Sequence, residues 1–139
     1  MTQGGRWRRP GPVMRPIAYA WAAPNTVIGL LVATLTWFTG GAVGRREGNL
    51  EASGAFARSL LESPRVRASA LTLGHVVLAR DPYEMMRHRR HEHGHVRQYE
   101  RLGPFFLPAY LLAALWALHR GGHYYRDNWF ECDAERYGR

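Results

Sequence analysis

The sequence predicts an α+β fold, in which a small antiparallel sheet is followed by a helical part. Three observations support it. Residues 17–43 are largely apolar, residues 47–80 combine turn signals with runs rich in Leu, Thr and Val, and the rest of the chain carries helix start and stop signals. The helical part contains the motif that points to chemistry, and the apolar stretch is a possible N-terminal membrane segment.

Length and composition limit the classes of protein. The chain has 139 residues, 46% of them hydrophobic, which suits one domain, expected over residues 17–139. Its 19 basic residues are all arginine and give a net charge of +8. They are spread from Arg6 to Arg139 without the aromatic platform of single-strand binders, so nucleic acid is not an expected partner. The single cysteine, Cys132, excludes an intrachain disulfide.

The N-terminal part has two predicted segments. Residues 1–16 carry arginines among glycines and prolines and are predicted to form a flexible basic tail. Residues 24–43 provide roughly the twenty residues that a bilayer span needs, although Asn25 weakens the signal. An apolar anchor and a buried hairpin or core helix are both open interpretations. The anchor predicts a membrane-associated protein, and the buried segment a cytoplasmic one.

Residues 47–80 are predicted to form the sheet. Gly48-Asn49 is a turn signal, and residues 50–56 could form a short strand. Residues 68–78 are rich in Leu, Thr and Val, which favour a second strand. Next, Asp81-Pro82 predicts the start of a helix over residues 82–102, which we call the motif helix.

The motif helix contains the run His91-Glu92-His93-Gly94-His95, an HExxH motif. Histidines four residues apart lie on one face of a helix, so His91 and His95 could bind one Zn²⁺ together. Glu92 lies beside them and could act as a general base, taking a proton from the attacking water and delivering it to a leaving amine. Two histidines are not enough, because catalytic zinc needs a third protein ligand and an open fourth position.

Two further helices are predicted after the motif helix. An apolar helix over residues 105–120 is expected to pack on the motif helix, and at about 14 residues it is too short to cross a bilayer. A short helix over residues 128–137 carries carboxylates that could complete a metal site. A longer form of the motif would need Gly at position 98 and His at position 101, whereas the chain has Gln and Arg there, so that class of site is excluded.

The third ligand is predicted to be Glu131. The other downstream carboxylates are Asp127, Asp133 and Glu135. On a helix, Glu131 and Glu135 share a face while Asp133 points away from it. Glu135 could therefore accept the outer N–H of a ligating histidine and fix its tautomer.

The run from Glu131 to Glu135 resembles the gluzincin type of zinc metallopeptidase, whose third-ligand Glu is followed four residues later by an acidic residue, usually Asp. The chain more closely resembles an uncharacterised bacterial family of small HExxH proteins. The resemblance covers most of the chain beyond the basic tail and implies no known substrate. It is carried by residues 24–26, 72–76, 91–100, 103–108 and 125–131.

Several other residues are candidates for supporting roles. Gln98 lies on the motif face and could orient a ligand or bind the water. His75, placed in the second predicted strand, could contact substrate. His123 and Tyr125 could supply a donor to a developing oxyanion. Packing is the simpler interpretation of these last three. His88, one turn before the motif, offers an all-histidine alternative site.

These observations predict a zinc-dependent metallohydrolase, a peptidase that acts on a peptide or protein at or near a membrane. The alternative is a non-catalytic metal-binding or membrane-interaction protein with a structural zinc site. That site would be closed, with His88, Asp127 or Glu135 in the fourth position. A third hypothesis is an anionic-surface binder driven by arginine.

Overall fold

The computed structural model describes residues 9–138 of the chain. Within this range the fold is α+β, as predicted, with five α-helices and one sheet of four strands. The helices are α1 (Arg15–Phe38), α2 (Ala55–Leu61), α3 (Pro82–Leu102), α4 (Phe106–His119) and α5 (Trp129–Gly138), with a turn of 3-10 helix (Gly103–Phe105) between α3 and α4. The strands are β1 (Ala42–Arg46), β2 (Asn49–Ser53), β3 (Ala70–Leu73) and β4 (Val76–Ala79).

The sheet is mixed and not antiparallel as predicted. Its strand order is β1-β2-β4-β3, and the outer pairs, β1 with β2 and β3 with β4, are antiparallel. The central pair is parallel, with Leu50 opposite Val76. A parallel pair needs a crossover connection, and α2 lies in that connection. Helix α2 begins at Ala55, so the strand predicted over residues 50–56 stops earlier, at the end of β2.

The strand predicted over residues 68–78 is in fact a hairpin of β3 and β4. The chain turns at Gly74-His75, and Gly74 has a φ of +64°, in the left-handed region that favours glycine. A Cβ at this position would also collide with Thr26 of α1. His75 therefore lies in the turn and not within a strand as predicted.

The N-terminal predictions are partly corrected. Of the basic tail predicted over residues 1–16, residues 1–8 lie outside the described range, and the last two residues already belong to α1. The apolar segment predicted over residues 24–43 is the C-terminal part of α1 followed by the first residues of β1. The helix ends before those residues because Gly40 adopts a φ of +86° and the backbone N–H of Gly41 donates to the carbonyl oxygen of Thr36 at 2.8 Å, and the residues that follow pair with β2.

Helix α1 packs a narrow face of small residues against the sheet and α3. Asn25, which weakened the membrane signal, lies on this buried face and donates from Nδ2 to the backbone oxygen of Gly103 at 3.3 Å. Its amide therefore faces the protein and has a partner. The buried residues of the face recur every three or four positions: Ala18, Ala22, Asn25, Gly29, Ala33 and Thr36.

Two helical stretches are long and apolar enough to cross a membrane by length and composition, Arg15–Phe38 and Pro82–His119. The second stretch joins α3 and α4 across Gly103, where a φ of +53° ends α3, so α4 itself has the 14 residues that the sequence predicted. Both stretches expose large apolar side chains. They include Val27, Ile28, Leu31, Trp37 and Phe38 of α1 and Leu107, Leu111, Leu112, Leu115 and Trp116 of α4.

Helix α3 lies between the sheet and α5. It begins at the predicted residue, where Asp81 caps the helix by accepting a hydrogen bond from the backbone N–H of Glu84 at 2.8 Å. On the sheet side, Val96 is fully buried against Val77 of β4. On the opposite side, α3 packs against α5. The motif helix is therefore held from two sides, which fixes the direction of its side chains.

Helices α3 and α5 approach each other closely at Gly94, inside the motif. A Cβ added to Gly94 would lie 3.0 Å from Ala134 Cα and 3.2 Å from Tyr137 Cβ, both close to the backbone of α5. Glycine inside a helix costs about 1 kcal/mol relative to alanine. A larger residue at this position would hold α5 away from the motif helix. Glu131 would then lie farther from His91 and His95.

We expect Gly94→Ala to destabilise the protein. Overpacking at a rigid contact costs about 1–3 kcal/mol, and the better helix propensity of alanine offsets up to about 1 kcal/mol of this. Thermal unfolding followed by circular dichroism measures the effect. Gly44→Ala in β1 is the control, because its Cβ would meet no atom within 4 Å. A midpoint for Gly94→Ala at or above that of the parent protein would contradict the close contact.

Candidate metal centre

Three side chains from α3 and α5 converge on one point. His91 and His95 lie one turn apart on α3, and Glu131 lies in the first turn of α5. Glu131 Oε2 is 2.9 Å from His91 Nε2 and 3.3 Å from His95 Nε2. The three ligand atoms lie within 4.8 Å of one another, so the group could hold a metal ion.

The outer nitrogens of both histidines face acceptors. Gln98 Oε1 lies 2.8 Å from His95 Nδ1, and Glu135 Oε2 lies 3.4 Å from His91 Nδ1. An acceptor at Nδ1 favours the tautomer whose lone pair is on Nε2, which is the form that binds a metal. Both residues were predicted as candidates for orienting a ligand, and the structure places them at these nitrogens.

Gln98 is itself fixed by α5. Its Nε2 donates to the carbonyl oxygen of Phe130 and to Asp133 Oδ2, both at 3.0 Å, which leaves its oxygen to face His95. Asp133, expected to point away from Glu131 and Glu135, is buried and accepts this hydrogen bond from Gln98. Helix α5 buries a face wide enough to include Phe130, Glu131, Asp133 and Ala134.

Two tyrosines lie at the carboxylate of Glu131. The hydroxyl of Tyr110, from α4, donates to Glu131 Oε1 at 2.5 Å. Tyr125 lies in the loop before α5, and burial and the negative charge of Glu131 raise the pKa of its hydroxyl. Tyr125 was a predicted candidate, whereas Tyr110 was missed. A signal was available, because Tyr110 carries the one hydroxyl in the apolar sequence of α4, and a hydroxyl in such a helix needs a polar partner.

The charges of this group reinforce one another. Burial alone would lower the pKa of His95, but the hydrogen bond with Glu131 and the negative charges of Glu92 and Glu131 raise it to about 9. The pKa of His91 is also raised, against the effect of burial, by its hydrogen bond with Glu131. Burial would raise the pKa of Glu131, but its hydrogen bonds with the two histidines hold it well below its ordinary value. A bound cation must displace protons from these histidines, so its affinity rises with pH.

Glu92, the predicted general base, is buried next to this group and held by the sheet. Thr72 Oγ1, in β3, donates to Glu92 Oε2 at 2.7 Å. The backbone oxygen of Thr72 in turn accepts from the Tyr99 hydroxyl at 3.1 Å. One carboxylate oxygen of Glu92 is therefore fixed by β3. Sequence reasoning did not single out Thr72, because the contact joins residues 20 positions apart and has no local pattern.

His75 and His123 lie outside the group. His75 is buried in the β3–β4 turn, where it stacks on Tyr19 with ring centroids 4.1 Å apart and lies 3.8 Å from Glu100. His123 Nδ1 accepts from the backbone N–H groups of Tyr125 and the next residue, so its ring shapes the loop. Both histidines therefore have partners within the protein, and neither belongs to the group of His91, His95 and Glu131.

The residues considered for a fourth ligand also have other partners. His88 pairs with Glu84 at 3.0 Å, and Asp127 Oδ2 accepts from the backbone N–H of His123 at 2.6 Å. The sulfur of Cys132 faces a loop carbonyl oxygen. Neither an all-histidine site nor a thiolate site is formed by these side chains.

Comparison with known proteins adds no relative: the chain matches no family model, no curated protein and no solved structure. The chemistry of the site is therefore argued from its own geometry. That geometry consists of two imidazoles and a carboxylate, oriented by Gln98 and Glu135, with the carboxylate of Glu92 held nearby.

We expect Tyr110→Phe to weaken metal binding without unfolding the protein, because it removes one hydrogen bond that orients Glu131. Loss of a partner behind a metal ligand typically costs about 10–100-fold in affinity. Competition with a chromogenic zinc chelator measures the change. Tyr124→Phe is the matched control, since Tyr124 is exposed and stacks only its ring on His123. Equal affinities for the two variants would contradict the role of Tyr110.

Proposed function

We propose that the chain is a zinc-dependent metallohydrolase, an HExxH peptidase that acts at a membrane surface. The observation that carries the proposal is an incomplete ligand shell. His91, His95 and Glu131 provide three donors, and no fourth His, Cys, Asp or Glu within residues 9–138 joins them. Structural zinc sites have four protein ligands, whereas catalytic sites have three and leave one position for water or substrate.

Zn²⁺ suits this set of donors. Two imidazole nitrogens with one carboxylate oxygen form a known type of catalytic zinc site, whereas Mg²⁺ and Ca²⁺ take mainly oxygen ligands. The acceptors at both Nδ1 atoms, Gln98 and Glu135, also make the histidines better ligands. Glu135, the acidic residue one turn after Glu131, also supports the proposed likeness to gluzincin-type peptidases.

When bound, zinc would supply a Lewis acid that polarises the scissile carbonyl group and activates water. The proton transfers fall to Glu92, which would accept a proton from the attacking water and pass it to the leaving amine. Because Thr72 occupies Oε2, the Oε1 atom of Glu92 is left for this proton. Tyr110 would keep Glu131 oriented while the reaction proceeds.

The positions of the candidate fourth ligands favour this proposal over a structural zinc site. His88 and Asp127 bind other partners, as described above. Glu135 approaches His91 at Nδ1, whereas the nitrogen that faces the other ligands is Nε2. A closed shell would therefore require one of these side chains to leave its present partner.

Helices α1 and α4 support the membrane part of the proposal. Soluble monomers rarely expose large continuous apolar patches. Helix α4 is apolar around its circumference, which is typical of a helix surrounded by protein or lipid, yet most of its large side chains are exposed. Helix α1 keeps one face on the sheet and α3, so it would offer lipid its remaining faces.

We expect Glu92→Gln to retain zinc and lose hydrolysis, because the metal ligands stay in place while the proton acceptor is removed. General acid–base catalysis contributes about 100–10,000-fold to the rate. Zinc content by elemental analysis and cleavage of a peptide library by mass spectrometry test this. Glu62→Gln, an exposed residue after α2, is the control. Undiminished cleavage by zinc-loaded Glu92→Gln would contradict the mechanism.

We expect Leu111→Gln with Leu115→Gln to reduce flotation of the protein with neutral phosphatidylcholine vesicles. Each exposed leucine that enters lipid contributes about 1.5–3 kcal/mol. Tyr83→Gln, at the start of α3, is the control for an exposed apolar residue elsewhere. Binding should persist at high salt, because burial of apolar surface is not screened. Binding limited to anionic vesicles and lost in salt would support the arginine-driven hypothesis instead.

A further inference from the structure

A groove opens beside the candidate metal centre. Its volume is about 380 Å³, and His91 and Tyr125 line it, so it reaches one of the three candidate metal ligands. Arg87 and Arg90 of α3 line the same groove, with Glu135 of α5. A substrate that approaches the site through this groove therefore passes two guanidinium groups.

Both arginines are available to bind a ligand. Arg87 and Arg90 are exposed, and neither has a hydrogen bond or ion pair with another described residue. Arg89, between them in the sequence, is different, because its Nε and Nη2 bind the carboxylate of Glu51 at 2.7 and 2.8 Å. The basic run thus contains one arginine that ties α3 to the sheet and two that face the groove.

Glu135, the acidic residue that lines the groove, does not form an ion pair with these arginines. Glu135 lies 3.4 Å from His91 Nδ1, and its ion pair is with that ring. No ion pair joins Glu135 to either arginine in the described part of the chain. The groove is therefore positive on the side of α3.

The spacing along α3 relates the arginines to the reacting bond. Arg87 precedes His91 by four residues, a rise of about 6 Å along the helix. An extended peptide advances about 3.3–3.6 Å per residue. A substrate group bound by Arg87 and Arg90 would therefore lie within about two residues of a bond held at the metal ligands.

We propose that this groove selects substrates with a carboxylate within about two residues of the scissile bond, bound by Arg87 and Arg90. The inference rests on the proposed hydrolase function. Guanidinium groups bind carboxylates through charge-assisted and often bidentate hydrogen bonds, which makes arginine the suitable residue. The carboxylate could be the side chain of an acidic residue or the C-terminus of the peptide.

The test uses zinc-loaded Glu92→Gln protein, so that bound peptides are not consumed, and isothermal titration calorimetry. Three probes are compared: a capped alanine pentapeptide with a central Glu, the same peptide with Gln, and an all-alanine peptide with a free C-terminus. A carboxylate probe should bind at least about ten-fold more tightly than the Gln probe. Adding Arg87→Gln and Arg90→Gln should abolish the preference. Arg45→Gln with Arg65→Gln removes the same charge elsewhere and should keep it.

A preference for the Glu probe assigns the subsite to acidic side chains, and one for the free C-terminus assigns it to terminal carboxylates. Equal binding of all three probes overturns the inference. A preference that survives loss of Arg87 and Arg90 also overturns it, because the carboxylate would then bind the metal itself. Loss of phosphatidylglycerol vesicle binding in that variant, without a peptide preference, assigns the arginines to lipid. A preference without cleavage by the wild type contradicts the hydrolase but not the subsite.

Discussion

The contact on which the site depends is the carboxylate of Glu131, whose Oε2 is shared by His91 and His95. A buried charge without partners costs several kcal/mol, so this carboxylate is stable in the interface only because the two rings and Tyr110 surround it. The same contact attaches α5 to α3. Docking of the C-terminal helix and assembly of the ligand group are therefore one event, and Gly94 sets the distance at which it occurs.

How much of the site can be read from sequence depends on the range of each contact. His91 and His95 are related by one helical turn, so their spacing alone predicts that they act together. Glu131 follows from the need for a third ligand and from helical periodicity. Tyr110 and Thr72 come from α4 and β3, and only the packing of those elements on α3 brings them to the carboxylates. The sequence pattern of α4 or of β3 alone therefore does not predict these two contacts.

The difference between local and long-range contacts also decides which parts of the fold the sequence predicts. The class and the motif helix follow from turn signals, capping and composition. The parallel pairing of β2 and β4 does not, because it depends on α2, whose seven residues are too few to display a helical period clearly. Likewise, β1 begins with Ala42 and Val43, which continue the apolar run of α1 in sequence. The helix ends before them at a local signal, Gly40 with its φ of +86°, and pairing with β2 then makes them a strand.

Helix α4 joins the two properties that the sequence presents separately, an apolar surface and a metal centre. Leu111 and Leu115 are exposed on its outer side, while Tyr110, adjacent to Leu111 in the chain, reaches inward to Glu131. A shift of α4 would therefore move a hydrogen-bond donor of the third ligand. If α4 rests in lipid as proposed, the membrane restrains the same helix that orients Glu131. The geometry of the site and attachment to the membrane would then depend on each other.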